Sequence, residues 1–196
     1  MTDDDQPRRV IVVDTETTGL DLERDFALEV AWEDYATGES GVFVPAHDRE
    51  FALEHAHPKA LEINRYRELI MPREQDDGTE VARLWRALVG ATMVGSAPAI
   101  DGAMLSGVFD AWDLGTESIP GLNGGQPVGP RPWHHRVVDL GSYAAGVLGL
   151  PLDDLPGLWW LSGHLGVVRP DHGAMTDVRS TIACLRKLDE IKASRA

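Results

Sequence analysis

Within this 196-residue chain, the segment Asp14-Thr15-Glu16-Thr17-Thr18-Gly19-Leu20 offers the most chemistry. It follows directly on Val10-Ile11-Val12-Val13, a β-branched run of the kind found in strands buried on both faces. Side chains two apart on an extended strand point the same way, so Asp14 and Glu16 can converge on one hard cation, with Gly19 letting the backbone turn away. An arbitrary D-x-E is more often a turn cap beside a solvated acid, and the buried strand that delivers both acids shifts the balance toward chemistry. Asp101 follows Val94-Gly95-Ser96-Ala97-Pro98-Ala99-Ile100, near the start of a helix, where a single carboxylate is ordinarily only a favourable charge on the dipole. His172-Gly173-Ala174-Met175-Thr176-Asp177 opens the last helix, with His172 in the loop or first turn and Asp177 projecting from the helix. Taken singly, each of these is commonplace.

The elements that must position these residues are legible in outline. A strand over 10–13 ends at Asp14, and alternating apolar residues over 26–35 and again over 41–44 complete a three-stranded meander. Val81, Leu84, Trp85, Leu88 and Val89 recur at helical spacing, with Thr79 as N-cap and Gly90 as the stop. A strand over 92–95 and a helix over 101–112 follow, then a Gly/Pro-rich arm over 113–133. Val137-Val138-Asp139 reads as a strand, 142–148 and 158–165 as helices, and Ala174, Val178, Ile182, Leu185 and Leu188 as the apolar stripe of the last helix. This order predicts one α/β domain over 1–196 with a mixed sheet covered by helices, its first eight residues flexible.

Composition bounds the function. Hydrophobic residues at 43% and charged residues at 26% are those of a folded globular chain, and no apolar run approaches the ~18 residues of a membrane span. The start Met1-Thr2-Asp3-Asp4-Asp5 is unlike a signal peptide, which places the protein in the cytoplasm and away from membranes. One cysteine, Cys184, on the apolar side of the last helix, excludes an internal disulfide and a cysteine-built zinc site. With 18 basic and 32 acidic residues the net charge is -14, the wrong sign for coating duplex nucleic acid. Cations held by carboxylates can reverse that sign locally. His47, His55 and His57 match no zinc template and read as loop residues, and Trp85 and Trp159-Trp160 as core or lid packing. Arg131, Trp133, His134, His135 and Arg136 form either a small basic and aromatic contact for substrate or an ordinary surface loop.

Taken in order, D-x-E at the end of the first strand, Asp101 in mid-chain and H-x4-D on the last helix resemble the DEDDh family of 3′–5′ exonucleases, a ribonuclease H-like family that includes polymerase proofreading subunits, ribonuclease T and oligoribonuclease. The stretch from Asp14 to Leu20 matches the first motif in full, and His172, Ala174, Asp177 and Thr181 match the third. The strand ending at Asp139 and the stretch 155–167 also have counterparts, so the resemblance covers nearly the whole chain. The second motif departs: relatives carry a His-Asn pair and a Phe before the acid, where this chain has Ser96, Ala97 and Ile100.

The resemblance implies a ribonuclease H-like, mixed five-stranded sheet, a three-strand antiparallel meander plus parallel strands, flanked by helices. It implies two Mg²⁺ or Mn²⁺ ions held by Asp14, Glu16, Asp101 and Asp177, with Asp14 bridging them and His172 taking the proton of the attacking water. Oxygen ligation with open positions suits those ions better than zinc. By the same resemblance Thr17 and Gly19 meet the 3′-terminal hydroxyl and Leu20 wedges against the terminal base. The expected activity is 3′–5′ hydrolysis of single-stranded ends, DNA slightly ahead of RNA, since wedging and stacking suit unpaired bases. An RNA-trimming enzyme is the alternative within the class. A non-catalytic subunit docked on a polymerase or repair complex is the alternative outside it, and a homodimer partner is compatible with either.

Overall fold

The β-branched opening run forms the middle of the sheet. β1 (Val10–Thr17) is central in a five-stranded sheet of order β3-β2-β1-β4-β5, in a computed structural model that describes residues 7–116 and 129–195. β2 (Ala27–Asp34) and β3 (Ser40–Phe43) extend it as an antiparallel meander, while β4 (Thr92–Gly95) and β5 (Val138–Asp139) run parallel to β1. The mixed five-stranded sheet expected from the sequence is present. β1 outruns its expected end at Asp14, because pairing with β2 continues to Thr17↔Ala27. The acids therefore sit on a strand and inherit its alternation.

Alternation divides the core. Ile11, Val13, Trp32 and Met93 pack under α3 (Thr79–Leu88) and α4 (Pro98–Ala111). Val12, Ala31 and Val94 pack under α5 (Leu140–Leu148), α6 (Leu158–Leu165) and α7 (Ala174–Ser194). A third, smaller cluster of Leu28, Val44, Ala52, Tyr66 and Ile70 joins β2 to α1 (Arg49–His55) and to a single π turn, Tyr66–Ile70. The register of β1 against β2 steps from Glu16↔Glu29 to Thr17↔Ala27, so Leu28 is the extra residue of a β-bulge and turns into this third cluster.

Several local expectations are corrected. His47, His55 and His57 do not share a loop: His55 ends α1 stacked on Phe51, His57 caps α2 (Pro58–Ile63) by accepting from Lys59 N–H, and His47 bonds the Pro45 carbonyl and the Tyr66 hydroxyl. Helices of this length carry too little periodicity to be read, although Asp48 and Pro58 mark their starts. Thr79 is the first residue of α3 instead of its cap; the carboxylate of Asp76 accepts from the N–H groups of Gly78, Glu80 and Val81. α4 starts at Pro98, three residues before Asp101. Trp159 and Trp160 are exposed, with Arg169 laid over Trp159 and His164 stacked on Trp160, whereas Trp85 is buried as expected.

Of the arm expected over 113–133, residues 117–128 lie outside the described residues, as do 1–6 of the expected flexible start. The described flanks of the arm meet where Gly129 N–H donates to the Gly115 carbonyl. Cys184 is buried, and burial pushes its thiol up to about 11. Among the described residues no helix is long and apolar enough to cross a membrane.

Leu105 of α4 is fully buried against the sheet. Leu105→Ala is expected to cost about 2–5 kcal/mol, by lost transfer energy and the cavity left behind, measured by chemical denaturation.

Candidate functional site

Asp14 and Glu16 stand on the face of β1 that looks toward α7, at the strand's C-terminal end. The start of α7 brings Asp177 to the same place, and His172 lies just before the helix in a left-handed conformation, φ 61°. Carboxylate oxygens of Glu16 and Asp177 and a ring nitrogen of His172 all lie within 4.8 Å of one another. The loop that carries the histidine is closed on itself: Asp177 accepts from Asp171 N–H at 3.1 Å and donates its own N–H to the Gly173 carbonyl at 3.0 Å. A left-handed backbone is costly for a side chain with a Cβ, and such strain concentrates at functional sites.

Asp101 arrives from the other layer. Its Oδ1 accepts from the Thr15 N–H at 3.1 Å and from the Thr15 hydroxyl at 2.8 Å, which ties α4 to β1 between the two strand acids. Its Oδ2 is buried without a hydrogen-bond partner. Gly95 at the end of β4 makes room for it, since a Cβ there would stand 2.7 Å from Asp101 Oδ2 and 3.3 Å from the Val13 carbonyl. Ala97 is the residue before α4 and makes no side-chain cap, and Pro98 in the first turn holds the helical φ. Ser96 and Ala97 precede the helix and Ile100 lies in its first turn, and Asp101 beside them is bonded to Thr15.

The acids are at odds with one another. Burial raises the Asp14 carboxyl well above the usual range, and Asp101, Asp177, Glu16 and Glu29 add to the rise. Burial, with Asp177 next, pushes Glu16 up to about 8. Asp101 is pushed to about 7 by burial, against the Thr15 hydrogen bonds that pull it down, and burial raises Asp177 while the Asp171 N–H opposes it. A hard divalent cation relieves all four at once. The unpartnered Asp101 Oδ2 and the oxygen-rich donor set fit such an ion.

Beside the acids lies a pocket of about 560 Å³ lined by Glu16, Thr17, Gly19, Leu20, Ile63 and Asn64 among others. Leu20 is 73% exposed at its rim. The Thr17 hydroxyl donates to the Gly19 carbonyl at 2.7 Å and the Thr17 carbonyl accepts from Asn64 Nδ2 at 3.1 Å, so Thr17 braces the loop. A Cβ at Gly19 would fall 2.3 Å from Asp25 Oδ2, so a side chain there would have to displace that carboxylate, and the Gly19 φ is not left-handed. That carboxylate also takes the Thr18 hydroxyl and the Asp21 N–H, folding the loop behind Leu20.

Two residues the sequence did not single out border the acids. Glu29 lies directly across from Glu16 on β2, buried, with one oxygen on the Arg73 guanidinium and the other accepting the Ala174 N–H at 3.1 Å. No motif spacing links positions 29, 73 and 174, so only the folded chain reveals them. The segment 131–136 is not at this site: His134 N–H donates to the Ala91 carbonyl, at the opposite end of β4 from Gly95, Arg131 bonds Ser106 on α4, and Trp133 packs against Gly102. Trp133 packs on the core beneath α4, while Arg131, His135 and Arg136 are exposed, as in the alternative reading of an ordinary surface loop.

No family model and no curated protein matches this chain. Among solved structures it is similar to E. coli exonuclease I in complex with a dT13 oligonucleotide, at 20% identity and a TM-score of 0.66, over 96% of this chain and 42% of that one. A zinc-bound complex of E. coli exonuclease I with single-stranded DNA gives 20% identity and 0.64, over 97% and 42%. A moderately thermophilic exonuclease I from Methylocaldum szegediense gives 19% and 0.67, over 94% and 41%. These likenesses show a shared fold, and the chain spans less than half the length of each of these proteins.

The raised carboxyls make stability pH-dependent. Glu16, pushed up to about 8, and Asp101, pushed up to about 7, hold protons in the folded chain that they have lost in the unfolded one above about pH 4, and Asp14 and Asp177 are raised in the same direction, so folding weakens as pH rises through that window. In EDTA the melting temperature is expected to be higher at pH 5 than at pH 9, and Asp14→Asn should raise it at pH 9 by about 2–4 °C per ~1 kcal/mol of repulsion relieved. A flat profile in differential scanning calorimetry would contradict the crowding.

Proposed function

We propose that this chain is a metal-dependent 3′–5′ exonuclease that removes nucleotides from single-stranded ends, DNA ahead of RNA. The observation that carries the reading is the convergence of Asp14, Glu16, Asp101, Asp177 and His172 on one strand end beside the pocket under Leu20. Support comes also from the solved structures of like fold, described as exonuclease I bound to single-stranded DNA.

Asp14, Glu16, Asp101 and Asp177 would hold two Mg²⁺ or Mn²⁺ ions. Such ions supply charge neutralisation at the scissile phosphate and a more acidic water. His172 is exposed, its ring nitrogen lies within 4.8 Å of carboxylate oxygens of Glu16 and Asp177, and it would accept the proton of the attacking water. Leu20, braced from behind by Asp25, packs against the terminal base, and the backbone from Thr17 to Gly19 meets the terminal hydroxyl. Thr15 holds Asp101 by two hydrogen bonds and Gly95 leaves room for its second oxygen, which makes them positioning residues for the acid set.

Digestion of matched 5′-labelled DNA and RNA strands with Mg²⁺, Mn²⁺ or Zn²⁺ tests this. A ladder shortening from the 3′ end is expected, abolished by EDTA and by Asp14→Ala or Asp177→Ala, and slowed about 10²–10⁴-fold by His172→Ala. Faster loss of the RNA strand would make the chain an exoribonuclease. Intact strands of both kinds with folded, metal-loaded protein would favour a docking subunit. Gly95→Ala is expected to lower kcat with the fold retained by circular dichroism, because its methyl displaces the Asp101 carboxylate.

A further inference from the structure

Glu29 is a buried fifth acid that the proposed reaction does not use, although it neighbours Asp14 and Glu16 closely enough to raise both. It differs from the other four in being fully engaged by the protein. One oxygen meets the Arg73 guanidinium and the other accepts the N–H of Ala174, the first residue of α7. That helix has no cap of its own, because the residue at its N-cap position is Gly173. The carboxylate of a distant strand thus takes one of the N-terminal donors that the helix itself leaves unpaired, and places negative charge at the positive end of a 21-residue helix.

Arg73 is itself anchored. Its N–H donates to the Ile70 carbonyl at 3.0 Å and its carbonyl accepts from Arg49 Nη2 at 2.7 Å, which fixes it to α1 and to the π turn. The bulge at Leu28 ties the same strand into the cluster of Val44, Tyr66 and Ile70, so Glu29 and Arg73 are held by one small core. His172 stands two residues before Ala174 and Asp177 three after it. Whatever fixes the Ala174 N–H therefore fixes both against Glu16, which is the direct cross-strand partner of Glu29.

We propose that Glu29 and Arg73 form a positioning clamp that sets the start of α7, and so holds Asp177 and His172 in register with Glu16 for metal binding and turnover. This rests on the reading of the acid set as a metal-holding site. The charge of Arg73 has a second consequence: it keeps Glu29 from competing as a ligand.

The test is Mn²⁺ affinity by isothermal titration calorimetry, with kcat and KM on a single-stranded oligonucleotide, for Glu29→Ala, Glu29→Gln and Arg73→Ala. Glu29→Ala and Arg73→Ala are expected to weaken Mn²⁺ binding or turnover by about 10–100-fold, the range for residues that orient metal ligands, with KM for the strand within about threefold. Glu29→Gln keeps an acceptor for the Ala174 N–H and should fall between, and the double variant should be no worse than Glu29→Ala alone. Arg73→Ala decides the mechanism, since removing a cation beside the acids would tighten Mn²⁺ binding if the pair acted through charge alone. Tighter binding there, or Mn²⁺ affinity and kcat within twofold of wild type in the folded variants, overturns the clamp. If Glu29→Ala does not fold, Glu29→Gln and Arg73→Ala carry the same decision. Wild-type protein that binds Mn²⁺ but cuts neither DNA nor RNA sinks the exonuclease reading while the Mn²⁺ affinities still judge the clamp; wild type that binds no Mn²⁺ sinks both.

Discussion

Carboxylates gathered at the end of one strand repel, and away from bulk water that repulsion is substantial. Two like charges ~4 Å apart oppose each other by about 4 kcal/mol at an effective dielectric near 20. Asp14, Glu16, Glu29, Asp101 and Asp177 meet under that constraint, and protons on the carboxyls are one answer to it. The others are structural. Thr15 donates twice to Asp101, the Asp171 N–H donates to Asp177, and Arg73 neutralises Glu29. Each donor leaves the acid it serves in place without removing its charge, apart from Arg73, which opposes one with its own. The site is therefore destabilising for the empty protein and fitted to a divalent cation, a trade that proteins commonly make where function demands it.

The fold meets the constraint by approaching β1 from both sides of the sheet. α7 supplies Asp177 and His172 on the face of Asp14 and Glu16, and α4 supplies Asp101 from the opposite layer over Gly95. Pairing of β1 with β2 beyond Asp14 keeps the two strand acids on one side, and the bulge at Leu28 lets β2 follow β1 while anchoring a third cluster. That third cluster holds the segment least readable in the sequence, yet it carries Asn64, which braces Thr17, and Arg73, which meets Glu29.

Features with a local physical cause were legible in the sequence. The β-branched run, the D-x-E spacing and the apolar stripe of α7 each act within a few residues, and they placed β1, its acids and the last helix. The four acids and His172 were joined into one site only by the resemblance to the exonuclease family, since each of them taken singly is commonplace. Glu29, Arg73 and the Asp25 behind Gly19 answer to long-range contacts, and Glu29 looks like any polar residue of an alternating strand. Short helices such as α1 and α2 escaped because one or two turns carry caps but no period, and the exposed Trp159 and Trp160 show that residue type alone does not decide burial.

The account rests on divalent cations lying among Asp14, Glu16, Asp101 and Asp177 while Glu29 stays on Arg73. Anomalous diffraction from crystals grown with Mn²⁺ tests this directly. Metal density bounded by those four carboxylates, with Glu29 still between Arg73 and the Ala174 N–H, is the predicted result. Mn²⁺ elsewhere in an otherwise ordered site, or Glu29 turned from Arg73 to ligate the metal, would contradict it.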